Sequence, residues 1–301
     1  MSLKKQAGIL KHSRATMAAE ELARAVAAGD SGDLGEAERI TRDVLAKSPQ
    51  QPEALQLLGA LLMAQRRPRE AIVPLEEAAR QGGANPELET HLAIALRESG
   101  RSDEAVTWLG RAIERKPAYA RAFHELGNLL RAKRRYAEAE SVLKRGLEAA
   151  PTAPELSLML GGVCLDRADS AGAKVAFARA LSLVPGDADA LMGLGIALQY
   201  EGHFARAAER FRRVLAGDPA HQRARLNLGY CLIELGQLDE GIACLRAAVQ
   251  AAPRNYGNAL RMLISAGRGR FWFKRSAAAE CFGLDGKTVA SGDDFIDRKT
   301  Q

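Results

Sequence analysis

The side chains of this chain that could do chemistry are few and scattered. Its 301 residues hold five histidines (His12, His91, His124, His203, His221) and four cysteines (Cys164, Cys231, Cys244, Cys281). None stands at a metal-ligand spacing from another, and there is no CxxC pair. His91 and His124, with Glu125 beside the second, make at most a small polar cluster. Gly161-Gly162 and Gly193-x-Gly195 fall inside helical patterns with no strand before them, so they do not form a phosphate loop. Ser170 and Ser182 have no base paired with them. The expectation is a chain without catalysis, metal or cofactor. The densest chemical signal is Gly267-Arg-Gly-Arg-Phe-Trp-Phe-Lys-Arg-Ser, in which Phe271, Trp272 and Phe273 stand between two pairs of cations. Such a segment can fold back as a cap, dock a partner protein, or touch a membrane surface or single-stranded nucleic acid. Capping leads these readings, and nucleic-acid or membrane contact through Arg268–Arg275 ranks last.

The elements that would position these residues follow a period of 34. Leu58-Gly59 recurs as Leu92-Ala93, Leu126-Gly127, Leu160-Gly161, Leu194-Gly195 and Leu228-Gly229. Alanine keeps the same beat at Ala37, Ala71, Ala105, Ala139, Ala173 and Ala207, with Gly241 at the last site. Proline follows at Pro49, Pro117, Pro151, Pro185, Pro219 and Pro253. Within one unit, Leu55, Leu58, Gly59 and Leu62 stand at i, i+3, i+4, i+7, and Ala71, Leu75 and Ala78 at i, i+4, i+7. Each set is one buried helical stripe. The break between them is glycine or a polar cluster, as in Gly100-Arg-Ser-Asp. Each unit is therefore two amphipathic helices joined by a tight turn. The small residues let the two helices approach closely, and proline ends the second helix.

This pattern resembles the tetratricopeptide repeat family across nearly the whole chain. In the unit from Ala188 to His221 the resemblance rests on Leu191, Leu194, Gly195, Leu198, Gly202, Phe204, Ala207, Phe211, Val214 and Pro219. It implies an all-α fold, an α-solenoid of helix–turn–helix repeats wound into a right-handed superhelix. Seven units begin near Ala18, Pro52, Pro86, Ala120, Pro154, Ala188 and Gln222, and an eighth first helix from Tyr256 to about Ser265 caps the end. Arg24 and Thr41 make the first unit degenerate, as terminal repeats are. Residues 1–17 are then a basic extension, 18–265 the array, and 266–301 a basic and aromatic segment with a disordered tail.

Composition narrows the class further. The chain is 47% apolar and 27% charged, and no apolar run reaches the length of a membrane span. Lys11 and His12 interrupt any signal-peptide core, and the cysteines read as reduced core residues of a cytoplasmic protein. The net charge of +6 is spread among alternating signs, unlike a nucleic-acid footprint.

If such a chain binds a partner, the face to examine is positions 2, 5, 9, 12 and 13 of each first helix. At about 100° per residue these lie well away from the core stripe. In repeats five to seven this face is apolar: Leu158 and Leu165, then Met192, Ile196 and Tyr200, then Leu226, Tyr230 and Ile233, with Asn227 beside them. In repeats three and four it is polar and basic: Thr90, His91 and Arg97, then Arg121, His124, Asn128 and Arg131. In the family this face lines a concave groove for extended peptides or helices. The partner expected here is a protein or peptide with an acidic and an apolar portion, with no small-molecule substrate. Members that bind chaperone C-termini clamp a carboxylate with five side chains. Here Asn227 and Arg261 match, but Met192, Ile196 and Gly257 stand where Lys, Asn and Lys are required, so that function is not expected. The unbroken register also looks like the arrays appended to some glycosyltransferases. The sequence thus reads as an interaction scaffold or adaptor, with a non-catalytic, substrate-presenting subunit of a separate modifying enzyme as the alternative.

Overall fold

The structure, a computed structural model, describes residues 3–81, 85–265 and 282, with residues 3–16 described by their backbone alone. Every regular element among the described residues is helical. The first repeat is α1 (Leu3–Asp30) and α2 (Leu34–Lys47), and the second is α3 (Pro52–Ala64) and α4 (Pro68–Gln81). The third is α5 (Pro86–Glu98) and α6 (Ser102–Ala112), and the fourth is α7 (Ala120–Ala132) and α8 (Tyr136–Ala149). Then come α9 (Pro154–Asp166) with α10 (Ser170–Leu183), α11 (Ala188–Tyr200) with α12 (Phe204–Gly217), and α13 (Gln222–Glu234) with α14 (Leu238–Ala251). A 3-10 turn at Pro253–Asn255 leads into α15 (Tyr256–Ser265), the eighth first helix. The chain forms two compact units, residues 1–156 and 157–301.

Each turn between paired helices is built the same way. The residue two past the first helix adopts a left-handed conformation: Gly32, Arg66, Gly100, Arg134, Ala168, Gly202 and Gly236, all with φ between 59° and 89°. The next N–H then reaches back across the helix end, as in Arg67 N–H to the Leu62 carbonyl and Gln237 N–H to the Leu232 carbonyl, both 2.9 Å. This satisfies carbonyls that the helix leaves open. Side chains cap the following helices: Asp33 accepts from Glu36 N–H, Asp169 from Gly172 N–H and Asp187 from Ala190 N–H. At the other end α2, α8, α10, α12 and α14 all stop two residues short of a proline.

The paired helices meet at the small residues. A Cβ built on Gly195 would lie 2.6 Å from the Phe211 ring, and one on Gly127 would lie 2.8 Å from Leu143. Gly59 sits as tightly on Leu75, and Gly229 on the Gly241 carbonyl and Leu245. The alanines of the second helices, from Ala37 to Ala207, are fully buried on the described part of this seam. In the degenerate first repeat, buried Thr41 donates its hydroxyl to the Ala37 carbonyl at 2.7 Å.

Three features depart from the regular two-helix repeat. The helix α1 begins at Leu3, well before the Ala18 boundary, because residues 3–17 hold no proline and a single glycine to break it. The helix α6 is 11 residues long where its counterparts have 14. In the loop after it, Arg115 reaches back to the buried carboxylate of Glu89, with Nη2 2.7 Å from Oε1. Glu89 occupies the core-stripe position held by Leu55, Phe123 and Leu191 in other repeats, so repeat three has an ion pair where its neighbours have an apolar contact. Third, Phe282 is fully buried among Leu245, Val249, Ala259 and Leu263, edge-on to Tyr256 with ring centroids 5.9 Å apart. It falls on the 34-residue register of Val44, Ala78, Ala112, Ala180, Val214 and Ala248, all buried. It thus fills the core site of an eighth second helix. The aromatics Phe271, Trp272 and Phe273, and the tail from 283 onward, lie outside the described residues.

Candidate functional site: the first-helix faces

Packing decides which faces stay open. In the first unit α3 touches α5 and α5 touches α7; in the second, α11 touches α13 and α13 touches α15. Second helices pack between successive first helices, as α4 does on α5 and α12 on α13. Within each unit the first helices therefore form a row, and the face turned from their second-helix partners is continuous along it.

In the second unit this row is partly consumed by its own packing. Met192 is 6% exposed and Leu226 is 4% exposed, and Ile233 is fully buried. Met192 belongs to the core cluster of α11, α12 and α13, and Leu226 to the cluster of α13, α14 and α15. These two side chains, expected to line the groove, support the helix row from within. The physical reason is the closeness of consecutive first helices, which buries positions 5 and 12 against the neighbour. Ile196 is half-buried against the same cluster. Leu158 is half-buried as well. Tyr230 lies half-buried, edge-on to Phe204 at 5.9 Å, and donates its hydroxyl to Glu234. Burial and this carboxylate push the Tyr230 phenol up to about 12. Asn227, half-buried, donates from Nδ2 to the Arg223 carbonyl of its own helix at 2.7 Å, so the group it has left for a partner's N–H is the acceptor Oδ1.

The open surface belongs to Tyr200, 69% exposed, and to Ile264 on α15, 56% exposed. Ile264 was missed in the sequence, although it stands at position 9 of the eighth first helix, in register with Ile196 and Tyr230. Arg223 on α13 and Arg261 on α15 are also exposed, and among the described residues neither has an ion-pair partner; Arg261 meets only the Asn258 amide oxygen at 3.0 Å. The side-chain Oε1 of Gln199, next to Tyr200 in the chain, is buried without a hydrogen-bond partner among the described residues.

The first unit has a different surface. Arg97, expected to supply positive charge, is paired with Glu125 on α7 and lies 3.6 Å from Glu98. Its charge is compensated. Arg121 is exposed, and His124, Asn128 and Arg131 are half-buried. Among the described residues His91 Nδ1 is buried without a hydrogen-bond partner. Burial, then the Arg121 cation, hold the His91 imidazole below its usual range, with Glu87 opposing them. Thr90 is fully buried, its hydroxyl donating to the Pro86 carbonyl at 2.6 Å. A cleft of 540 Å³ lies elsewhere in this unit, between α2, α3 and α4, lined by Arg42, Leu55, Glu70, Val73, Pro74 and Glu77. Its charged walls are paired, Arg42 with Glu38 and Glu70 with Arg67.

Cys164 and Cys231 are buried cysteines outside any disulfide, and burial pushes the Cys231 thiol up to about 12. Among the described residues no three His, Cys, Asp or Glu side chains converge as metal ligands. No described helix is long and apolar enough to cross a membrane.

Known proteins share this architecture. Profiles described as tetratricopeptide repeat match residues 22–86 and 91–154, and again 198–264. A comparison with curated proteins returned no match. Among solved structures, YrrB, described as a tetratricopeptide repeat protein with an unusual peptide-binding site, is 24% identical with a TM-score of 0.55, over 63% of this chain and 97% of its own. The C-terminal part of a repeat protein from Cytophaga hutchinsonii aligns at TM-score 0.66 and 13% identity, over 80% of this chain and 99% of its own. PilW, a type IV pilus biogenesis factor, aligns at 0.61 and 18%, over 69% and 97%. These likenesses are of fold. With the 34-residue register, the paired helices, the left-handed turns and the small-residue seams, they give one assignment: the chain belongs to the tetratricopeptide repeat family, whose members bind protein or peptide partners.

Proposed function

We propose that this chain is a non-catalytic interaction scaffold or adaptor, and that its second unit binds an extended peptide across α11, α13 and α15. The observation that carries this reading is the exposure of Tyr200 and Ile264, at 69% and 56%, on a row in which Met192, Leu226 and Ile233 are packed away. Large apolar side chains held in the open on a row that also carries exposed Arg223 and Arg261 favour a partner with an apolar and an acidic portion. Ile196 and Tyr230 extend the surface, Met192 and Leu226 hold it flat from beneath, and Asn227 offers an acceptor to a peptide N–H. In the first unit Arg121, His124, Asn128 and Arg131 are proposed as a separate polar contact surface, with Arg97 fixed by Glu125 and acting on its shape more than its charge. The peptide-binding site named for YrrB supports the same use of the fold. Cysteines held outside disulfides fit a reducing cytoplasm.

The test is peptide selection from a random library on the full chain and on Tyr200→Glu/Ile264→Glu. The reading predicts an enriched apolar–acidic motif on the first and none on the second. The same motif on both, or none on either, contradicts it.

A further inference from the structure

Resting on that peptide-binding face, we propose that the chain carries its own ligand: the tail segment Asp293–Asp297, Asp-Asp-Phe-Ile-Asp, docks on α11, α13 and α15 of the same molecule, and a partner must displace it.

Phe282 is buried against Tyr256, Ala259 and Leu263, so the chain continues beyond it from the flank of α15, at one end of the proposed face. From Phe282 to Phe295 there are 13 residues, with glycine at 283, 286 and 292 and no proline. A glycine-rich tether of that length has a root-mean-square span of about 18–22 Å. The row from α15 to α11 is two helix-to-helix steps of about 8–10 Å each. The tether matches the distance, and its extended limit of about 43–47 Å leaves slack.

The chemistry matches as well. The segment is the one place in the tail where two large apolar residues, Phe295 and Ile296, sit among carboxylates, Asp293, Asp294 and Asp297. The row of first helices offers exposed Tyr200 and Ile264, and carries the exposed cations Arg223 on α13 and Arg261 on α15, which have no ion-pair partner among the described residues. Arg261 and Ile264 are i, i+3 neighbours on one helix, so a Phe–Ile pair over Ile264 brings the preceding aspartates to the guanidinium. Tethering at this length supplies an effective concentration of about 1 mM. A segment with an intrinsic dissociation constant near ~100 µM would then be docked about 90% of the time, and an outside peptide would bind about ten-fold more weakly than to a free face.

The test replaces Phe295 in the full chain with the photo-cross-linker p-benzoylphenylalanine. Irradiation is expected to give a monomer-sized product whose cross-linked peptides contain Tyr200, Tyr230 or Ile264. The yield should fall at least five-fold with Tyr200→Glu/Ile264→Glu or with Asp293→Asn/Asp294→Asn. A dimer-sized product would make a second copy the occupant and overturn the proposal. Cross-links elsewhere, or none, overturn it too. The affinity of a library-selected peptide separates the two readings. It should bind Phe295→Ala about ten-fold more tightly than the unaltered chain. Equal affinities for a Tyr200-dependent peptide sink the self-ligand and leave the peptide face standing. Failure to select any peptide on either chain sinks both.

Discussion

A single added methyl group distinguishes the glycines that build this fold from those that merely occur in it. A Cβ at Gly195 would press 2.6 Å from the rigid Phe211 ring, whereas one at Gly110 meets nothing within 4 Å. Gly195→Ala should therefore destabilise by about 1–3 kcal/mol despite alanine's better helix propensity, and Gly110→Ala should stabilise by about 1 kcal/mol. Denaturant unfolding with circular dichroism measures both. Ala168 holds a left-handed φ of 59° where four other repeats use glycine. Ala168→Gly should raise stability by about 0.5–1 kcal/mol, the strain relieved outweighing the looser unfolded chain. The role of the 195 position was legible because small residues recur there every 34 positions. The burial of Met192 and Leu226 was not. Angular position on one helix tells which way a side chain leaves, and the neighbouring helix decides whether it then meets solvent. The pairing of Arg97 with Glu125 escaped for the same reason, since its partner is 28 residues away on another helix.

At the scale of elements, the 34-residue beat specified the two-helix units, their turns and their proline stops, because each is local. What it could not specify were the places where a long-range contact substitutes for the pattern: the Glu89–Arg115 pair behind the shortened α6, and Phe282 standing in for an eighth second helix. Phe282→Ala should cost about 3–5 kcal/mol locally, since it empties a fully buried aromatic site. Faster amide exchange in α14 and α15, with α11 unchanged, is the expected readout. The helix α13 also makes the fold sensitive to alkali. Tyr230 and Cys231 both have folded values near 12, raised first by burial, from ordinary values of 10 and 9. The folded state holds these protons more tightly than the unfolded one. Their contribution is fully present below about pH 9 and is lost as pH rises toward 12. Tyrosinate absorbance at 295 nm should show one of the five tyrosines titrating only with unfolding. Tyr230→Phe should flatten the loss of stability above pH 10.

At the scale of the molecule, a repeat protein is stabilised by neighbours and not by one centre. Leu198→Ala should cost about 2–5 kcal/mol while leaving amide exchange in α3–α6 unchanged. Uniform acceleration across both units would contradict that. Family membership was legible from the sequence because every repeat restates the same packing. The functional face was only partly legible, since the resemblance supplies a groove and tertiary contacts remove three of its eight apolar side chains, Met192, Leu226 and Ile233, from it. The central claim is that what remains, around Tyr200 and Ile264, binds peptide. Its most direct measurement is calorimetric titration of one library-selected peptide into three chains: unaltered, Tyr200→Glu/Ile264→Glu, and Val73→Glu, whose valine is equally exposed, at 70%, on the cleft wall of the other unit. The account predicts at least a ten-fold loss of affinity for the double variant at unchanged helicity, and no loss for Val73→Glu. Equal affinity for all three chains, or an equal loss in both variants, would contradict it.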